Sequence, residues 1–201
     1  MPLTVAKKLN NRRDILLLLL YSSGRDGRIN EPISGRTRLI KMLFLFKEEV
    51  LPHFRKGTEI NADNFYEFFP WDFGPFSAQV YDDLTFFTLR GFVQSTASKD
   101  EALPESAAEW QKWQMSSDLG DDEGDFAEYE EEEFTLTSKG VDFTAGLYAQ
   151  LSDKQKELLR EFKARTAGAA LRALLRYVYQ KYPAQTTKSK IKEEVLGNYL
   201  G

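Results

Sequence analysis

The sequence predicts a mainly helical protein with one small β-hairpin, which is an α+β fold. Two observations support this class. Several stretches repeat apolar residues at the spacing of an amphipathic helix, and two short segments rich in Phe, Val and Thr flank a strongly acidic stretch. At 201 residues, with 42% apolar and 29% charged residues, the chain suits a globular domain with an appended helical part.

The first predicted helix spans residues 11–23 and is expected deep in the core, because its run from Ile15 to Tyr21 is apolar throughout. A membrane-spanning helix needs roughly 20 apolar residues, so this run predicts a buried helix and no membrane segment. The turn that follows, Ser22 to Gly27, differs from a signal-peptide cleavage site. Because the chain has no cysteine, we expect no disulfide and a cytoplasmic location.

The second predicted helix, residues 35–50, begins with a cluster of cations. Arg36, Arg38 and Lys41 lie in or near its first turn, where positive charge is unfavourable for the helix dipole. This placement predicts contact with an external anion such as a nucleic-acid phosphate, with ordinary solvated surface as the alternative. The apolar face of the helix is formed by Leu39, Leu43, Phe46 and Val50.

An aromatic segment without helical period connects the second helix to the third. Its side chains are interpreted either as core packing or as anchors for a partner protein. The four candidate anchors are Phe68, Phe69, Trp71 and Phe73. Pro75 suits the first position of the third predicted helix, which runs to Arg90. The exposed face of this helix is expected to be weakly acidic and to carry Gln79, Asp82, Asp83, Thr85 and Arg90.

Two strand candidates, residues 92–96 and 133–137, enclose an acidic insert at about residues 98–132. Residues 100–133 hold 14 Asp or Glu and a single Lys, a net charge of −13, whereas the rest of the chain carries +9. Mutual repulsion predicts a solvated loop. A second hypothesis is an acidic arm that covers the basic body or mimics nucleic acid, because the insert also holds Trp110, Trp113, Phe126 and Tyr129.

The order of elements predicts a winged helix-turn-helix-like unit. A helix, a glycine, a strand, a loop, a strand, the motif Leu136-Thr137-x-x-Gly140 and a further helix follow one another, with the acidic insert at the wing tip. If nucleic acid is bound, the second helix, the third helix and the wing base supply the contacts. The side chains predicted for this role are Arg36, Arg38, Lys41, Gln79, Arg90, Lys99 and Lys139.

Beyond residue 150 the pattern is again helical. Ser152 and Gln155 match a capping box that opens one helix, and residues 169–182 repeat apolar residues in i, i+3, i+4, i+7 order. We therefore assign residues 1–149 to a winged-helix-like domain and residues 150–201 to a C-terminal helical extension.

Recognised catalytic motifs are missing from the sequence. With His53 as its single histidine and no cysteine, the chain lacks the ligands of a usual zinc site. The sequence also contains no nucleophile elbow, no phosphate-cradling loop and no dinucleotide fingerprint. Asp72-Phe73-Gly74 spells a kinase tripeptide without the other kinase motifs. Glu161-Phe162-Lys163 after Asp153 matches a nuclease spacing, but in a helical context. We predict no enzyme, no metal and no cofactor.

Two stretches carry a family resemblance. Thr37 to Phe46 is similar to a "Leu-x-Lys-Leu-Leu-Tyr" helix, and Phe73 to Ser77, followed by Val80, Tyr81 and Leu84, is similar to an "aromatic-Gly-Pro" helix. With the Leu-Thr-x-x-Gly motif, residues 11–149 resemble the SocA-like antitoxin (Panacea) domain and the related YwgA-like bacterial proteins. The resemblance implies a winged-helix-like fold and a role as an antitoxin, a protease adaptor or a regulator.

Two functions follow from the sequence. The first is a nucleic-acid-binding regulator of the transcriptional type, with DNA as partner. The second is a protein-interaction module, such as an antitoxin, a protease adaptor or a subunit of a mobile-element or phage-defence system. A homodimer is compatible with both.

Overall fold

The computed structural model describes residues 9–96 and 132–197. These residues are mainly helical, with 56% helix and 10% strand in small antiparallel sheets, which agrees with the predicted α+β class. Lys99 and the acidic insert up to residue 131 lie outside the described residues.

Helix α1, Arg12–Tyr21, is the centre of the core. A capping box fixes its start, because the Asn11 side chain accepts hydrogen bonds from the amides of Arg13 and Asp14 while the Asp14 carboxylate accepts one from the Asn11 amide. Residues 15–20 are at most 1% exposed, as the apolar run predicts. No helix among the described residues combines the length and the apolar character that crossing a membrane requires.

The second predicted helix is divided into two parts and continues beyond its predicted end at residue 50. After β1, Ile33–Ser34, the chain forms α2, Arg36–Leu45, then a π-helical turn over Phe46–Val50 and the short α3, Leu51–Phe54. Pro52 has no amide hydrogen with which to continue the α-helical ladder, and the π turn ends two positions before it.

The aromatic segment folds into a hairpin that the sequence analysis missed. Strands β2, Phe69–Trp71, and β3, Gly74–Phe76, pair antiparallel and lead into α4, Ala78–Leu89. Gly74 has a φ of 85°, and a Cβ there would lie 2.9 Å from the ring of Tyr179. Both observations require glycine in the aromatic-Gly-Pro motif.

The two predicted strands pair with each other as expected. Strand β4, Val93–Ser95, is antiparallel to β5, Glu133–Leu136, with Val93 opposite Leu136. The unpredicted β1 adds to the other edge of β5, so the sheet order is β1-β5-β4.

The Leu-Thr-x-x-Gly motif joins this sheet to helix α5, Ser138–Tyr148. Thr137 is the N-cap, because its hydroxyl oxygen accepts a hydrogen bond from the Gly140 amide at 3.2 Å. The same hydroxyl group donates a hydrogen bond to the carbonyl oxygen of Gly91 at 2.7 Å. Gly140 packs directly against the Phe92 backbone, where a Cβ would overlap the Phe92 carbonyl oxygen. The motif therefore fixes how α5 leaves the sheet.

The C-terminal helices share one hydrophobic core with the first part of the chain. Ser152 and Gln155 form the predicted capping box at the start of α6, and the ring of Phe162 lies 5.7 Å from that of Phe46 in an edge-on contact. The remaining elements are α6, Asp153–Ala167, α7, Leu171–Lys181, a 3-10 turn, Pro183–Thr186, and α8, Lys192–Leu196.

Candidate functional site

The three cations predicted for phosphate contact on α2 lie inside the protein. Arg36, Arg38 and Lys41 are 9%, 3% and 2% exposed. Their side chains are out of reach of an external phosphate, which corrects the prediction made from their position in the first helical turn.

Each of these cations has an internal partner. The Arg38 guanidinium donates hydrogen bonds to the carbonyl oxygen of Thr166, in the last turn of α6, at 2.9 Å and to that of Ala169, beyond the helix, at 2.6 Å. The Lys41 ammonium donates to the carbonyl oxygen of Pro75 at 3.0 Å, and Arg36 forms an ion pair with Glu132. Burial lowers the pKa of Arg38. Two of these long basic side chains thus donate to backbone oxygens and the third pairs with a carboxylate.

A different surface gathers exposed apolar residues and cations. Its apolar side chains are Phe86 and Leu89 of α4, 37% and 78% exposed, and Phe143 of α5, 39% exposed. The half-buried Phe92 joins the two helices, since its ring lies 5.3 Å from that of Phe143 and 6.0 Å from that of the buried Phe87. We call this surface the α4–α5 face.

Cations lie directly over the aromatic rings of the α4–α5 face. The guanidinium carbons of Arg13 and Arg90 are 4.5 Å and 5.5 Å from the centre of the Phe86 ring. The Lys139 ammonium is 4.3 Å from the centre of the Phe92 ring and donates a hydrogen bond to the Arg90 carbonyl oxygen at 2.8 Å. Contacts of this geometry are attractive through the quadrupole of the ring.

A buried carboxylate orients the arginines at one edge of the face. Asp83 of α4 is fully buried and accepts hydrogen bonds from the Nε atoms of Arg12 at 2.8 Å and Arg13 at 2.6 Å. Burial, and secondarily the Asp83 charge, raise the pKa of the neighbouring Tyr66. The prediction that Asp83 is exposed is wrong, because this side chain forms the ion pairs that join α4 to the start of α1.

The structure brings together two of the predicted nucleic-acid contacts, Arg90 and Lys139. Gln79 lies apart in the first turn of α4, where its side-chain oxygen accepts a hydrogen bond from the Glu67 amide at 3.0 Å. Sequence reasoning missed Phe86 and Leu89. The signal was present, because both residues fall outside the apolar face that the helical spacing predicts for α4.

The predicted partner anchors of the aromatic segment have mixed positions. Phe68 packs edge-on against Phe44 with a ring separation of 5.4 Å, which agrees with the core-packing alternative. Phe69 is 39% exposed and lies 6.0 Å from the ring of Trp71 on the same hairpin. Trp71 and Phe73 are half-buried.

Glu49 in the π turn is the centre of a second polar cluster. Its carboxylate accepts hydrogen bonds from Tyr177 at 2.8 Å, Lys181 at 3.0 Å and Tyr182 at 3.1 Å. Burial by itself would raise the pKa of Glu49, but these hydrogen bonds lower it overall. A carboxylate held ionised in this way ties α7 to the π turn and is unsuited to proton donation.

Lys163 of α6 is fully buried and not part of a nuclease-like site. Its ammonium donates three hydrogen bonds, to the carbonyl oxygens of Leu20 and Ser22 at 2.8 Å and of Glu31 at 2.7 Å. Glu161, two positions earlier, is exposed. Among the described residues, no group of three or more His, Asp or Glu could hold a metal ion.

We expect the stability of the protein to increase with pH because of Lys163. Burial lowers its pKa from 10.5 to about 7. Between these values the unfolded chain binds more protons than the folded one, so the free energy of unfolding rises with pH, by at most about 1.4 kcal/mol per unit. Urea unfolding measured from about pH 7 to 9.5, below tyrosine ionisation, tests this. An equal rise in a Lys163→Met variant would assign the effect to another group.

Comparison with known proteins found no matching family model, no similar curated protein and no similar solved structure.

Proposed function

We propose that this protein is a protein-interaction module that holds a partner protein on the α4–α5 face. The observation that carries the proposal is the exposure of Leu89, at 78%, one helical turn from the exposed Phe86 on α4, together with that of Phe143 on α5. Large apolar side chains that cluster on a surface and are rimmed by charged groups are typical of protein interfaces. Arg13, Arg90 and Lys139 form such a rim here.

The charges of this face favour a protein over nucleic acid. Non-specific affinity for nucleic acid grows with the number of phosphates that Lys and Arg neutralise. The cations predicted on α2 are buried, and α4 presents the carboxylate of Asp82 and the apolar Leu89 between its first turn and Arg90. An outer helix face of this composition suits apolar side chains of a protein better than a phosphate backbone.

The proposal includes a winged-helix-like unit. The order α1, β1, α2, α4, β4 and β5, with sheet order β1-β5-β4, supports such a unit and with it the resemblance to SocA-like antitoxins. The β2–β3 hairpin is then an insertion before α4. In a DNA-binding winged helix the third helix enters the major groove. We infer that α4 instead contacts a protein, as an antitoxin or an adaptor would require.

We expect Leu89→Glu to abolish partner binding. A tagged form of the protein would be cross-linked to its partners in its native cells, and mass spectrometry would identify the captured proteins. The affinity of the wild type and of each variant would then be measured with the purified partner. Burying a carboxylate in an apolar interface should weaken binding about tenfold or more. Phe143→Glu should act in the same direction. Ile29→Glu is the matched control, since Ile29 is 55% exposed but lies in the turn between α1 and β1.

Two outcomes would contradict the proposal. One is a partner whose affinity is unchanged by both Leu89→Glu and Phe143→Glu. The other is binding to nucleic acid, which is measured by titrating the protein with random duplex DNA at two salt concentrations. Binding that weakens with salt, and that Leu89→Glu leaves unchanged, would favour the nucleic-acid function in place of the protein partner.

A further inference from the structure

We infer that helix α4 pairs antiparallel with α4 of a second copy of this chain, around a two-fold axis at Phe86. The inference rests on the proposed function, because it names a partner for the α4 part of the same face. Its basis is the arrangement of one acidic, one aromatic and one basic residue along the exposed side of α4.

Asp82, Phe86 and Arg90 form a stripe along α4. They follow one another at intervals of four residues and therefore lie on the same side of the helix. With a rise of about 1.5 Å per residue, Asp82 and Arg90 are about 12 Å apart along the axis. The Arg90 guanidinium lies over the Phe86 ring at 5.5 Å, which agrees with this common side. Leu89, 78% exposed, adds an apolar side chain next to the stripe.

The stripe is complementary to itself. In a two-fold antiparallel pair centred on Phe86, Asp82 of each copy faces Arg90 of the other, and the two Phe86 rings meet at the axis. Leu89 of each copy then packs between Asp82 and Phe86 of the other. Such an interface uses one surface patch twice and closes at two subunits.

Both charges of the stripe remain available for this pairing. Within residues 9–96 and 132–197, Asp82 forms no ion pair, and the Arg90 guanidinium contacts the Phe86 ring without an acidic partner. By contrast, Arg12 and Arg13 both form ion pairs with the buried Asp83.

The expected dimer is weak. Arg12 and Arg13 carry two positive charges, of which Asp83 neutralises one. In the dimer, the remaining positive charge of each copy lies towards the two-fold axis at Phe86, where the two charges repel each other. One helix pair also covers less than the roughly 1,200–2,000 Å² of a standard stable interface. We therefore expect dissociation in the micromolar range and a fast monomer–dimer exchange.

Charge reversal tests the pairing. Analytical ultracentrifugation of the full chain over a concentration series should show a monomer–dimer equilibrium. Asp82→Arg and Arg90→Asp each place like charges opposite one another twice, and each should weaken the dimer about tenfold or more.

The double variant D82R/R90D restores both ion pairs and the dimer. A mixture of the two single variants should form a heterodimer although each variant alone is monomeric. Circular dichroism checks that the exposed substitutions leave the fold unchanged.

Three results would overturn the inference: a wild-type chain that stays monomeric, a dimer insensitive to the single reversals, or a double variant as weak as the singles. The proposed function is judged separately. If the wild type is monomeric while Leu89→Glu still abolishes binding of a captured partner, the self-pairing fails and the protein-interaction function stands. If neither dimer nor Leu89-dependent capture is found, both fail.

Discussion

Replacing Lys163 with methionine lowers the free energy of unfolding by about 3 kcal/mol, because three buried carbonyl oxygens lose their hydrogen-bond donor. These oxygens belong to Leu20, Ser22 and Glu31, at the end of α1 and in the turn that follows. The helix dipole adds to the effect, since a cation at the C-terminal end of a helix is favourable. Because burial lowers the pKa of Lys163 to about 7, the fold does not favour its charged form, and the expected loss comes from the three oxygens that methionine leaves without a donor.

Urea unfolding at about pH 7 measures this loss for Lys163→Met. Lys154→Met is the matched control on the same helix, where Lys154 is exposed, and it should change the free energy by no more than about 0.5 kcal/mol. Equal stability of the two variants would mean that Lys163 contributes nothing to the connection between α6 and α1.

Gly140→Ala is expected to destabilise the protein by about 3 kcal/mol, because the new methyl group overpacks a backbone contact. The added Cβ would overlap the carbonyl oxygen of Phe92 and lie 3.1 Å from the Cβ of Leu136. Neither neighbour is the end of a flexible side chain, so α5 has to move away from the sheet. Since Phe92 also packs against Phe143, the same variant should disturb the α4–α5 face.

Gly146→Ala on the same helix separates this clash from the ordinary effect of a helical alanine. A Cβ at Gly146 meets nothing within 4 Å, so alanine there should stabilise the protein by up to about 1 kcal/mol. Thermal or urea unfolding of the two variants measures the difference. Similar stability of Gly140→Ala and the wild type would show that the close approach of α5 to the Phe92 backbone is not required.

The sequence predicted the elements whose signals are local. The apolar run of α1, the capping box of Ser152 and Gln155, and the Leu-Thr-x-x-Gly motif before a helix depend on residues within a few positions of one another. Strand β1 and the β2–β3 hairpin were missed, because strands of two or three residues are defined by their pairing partner more than by their own composition.

The positions of the cations could not be read from the sequence. A basic side chain in a first helical turn faces either solvent or a partner inside the protein, and the choice depends on what packs against it. Arg38 is buried because the carbonyl oxygens of Thr166 and Ala169, more than 120 residues later, need a donor at that place. The apolar periodicity of α2 does not show which residues of α6 pack against it.

The sequence by itself determined the mainly helical class, the helices with strong periodicity and the β4–β5 pair. It also contained the Leu-Thr-x-x-Gly motif, whose Gly140 packs against Phe92. Tertiary structure decided which charged and aromatic residues are available to a partner: it buried Arg36, Arg38 and Lys41 and left Phe86, Leu89 and Arg90 outside. The physical reason is that secondary structure follows from backbone geometry and nearby side chains. Exposure depends on long-range packing, in which each buried polar group must find a partner somewhere along the chain.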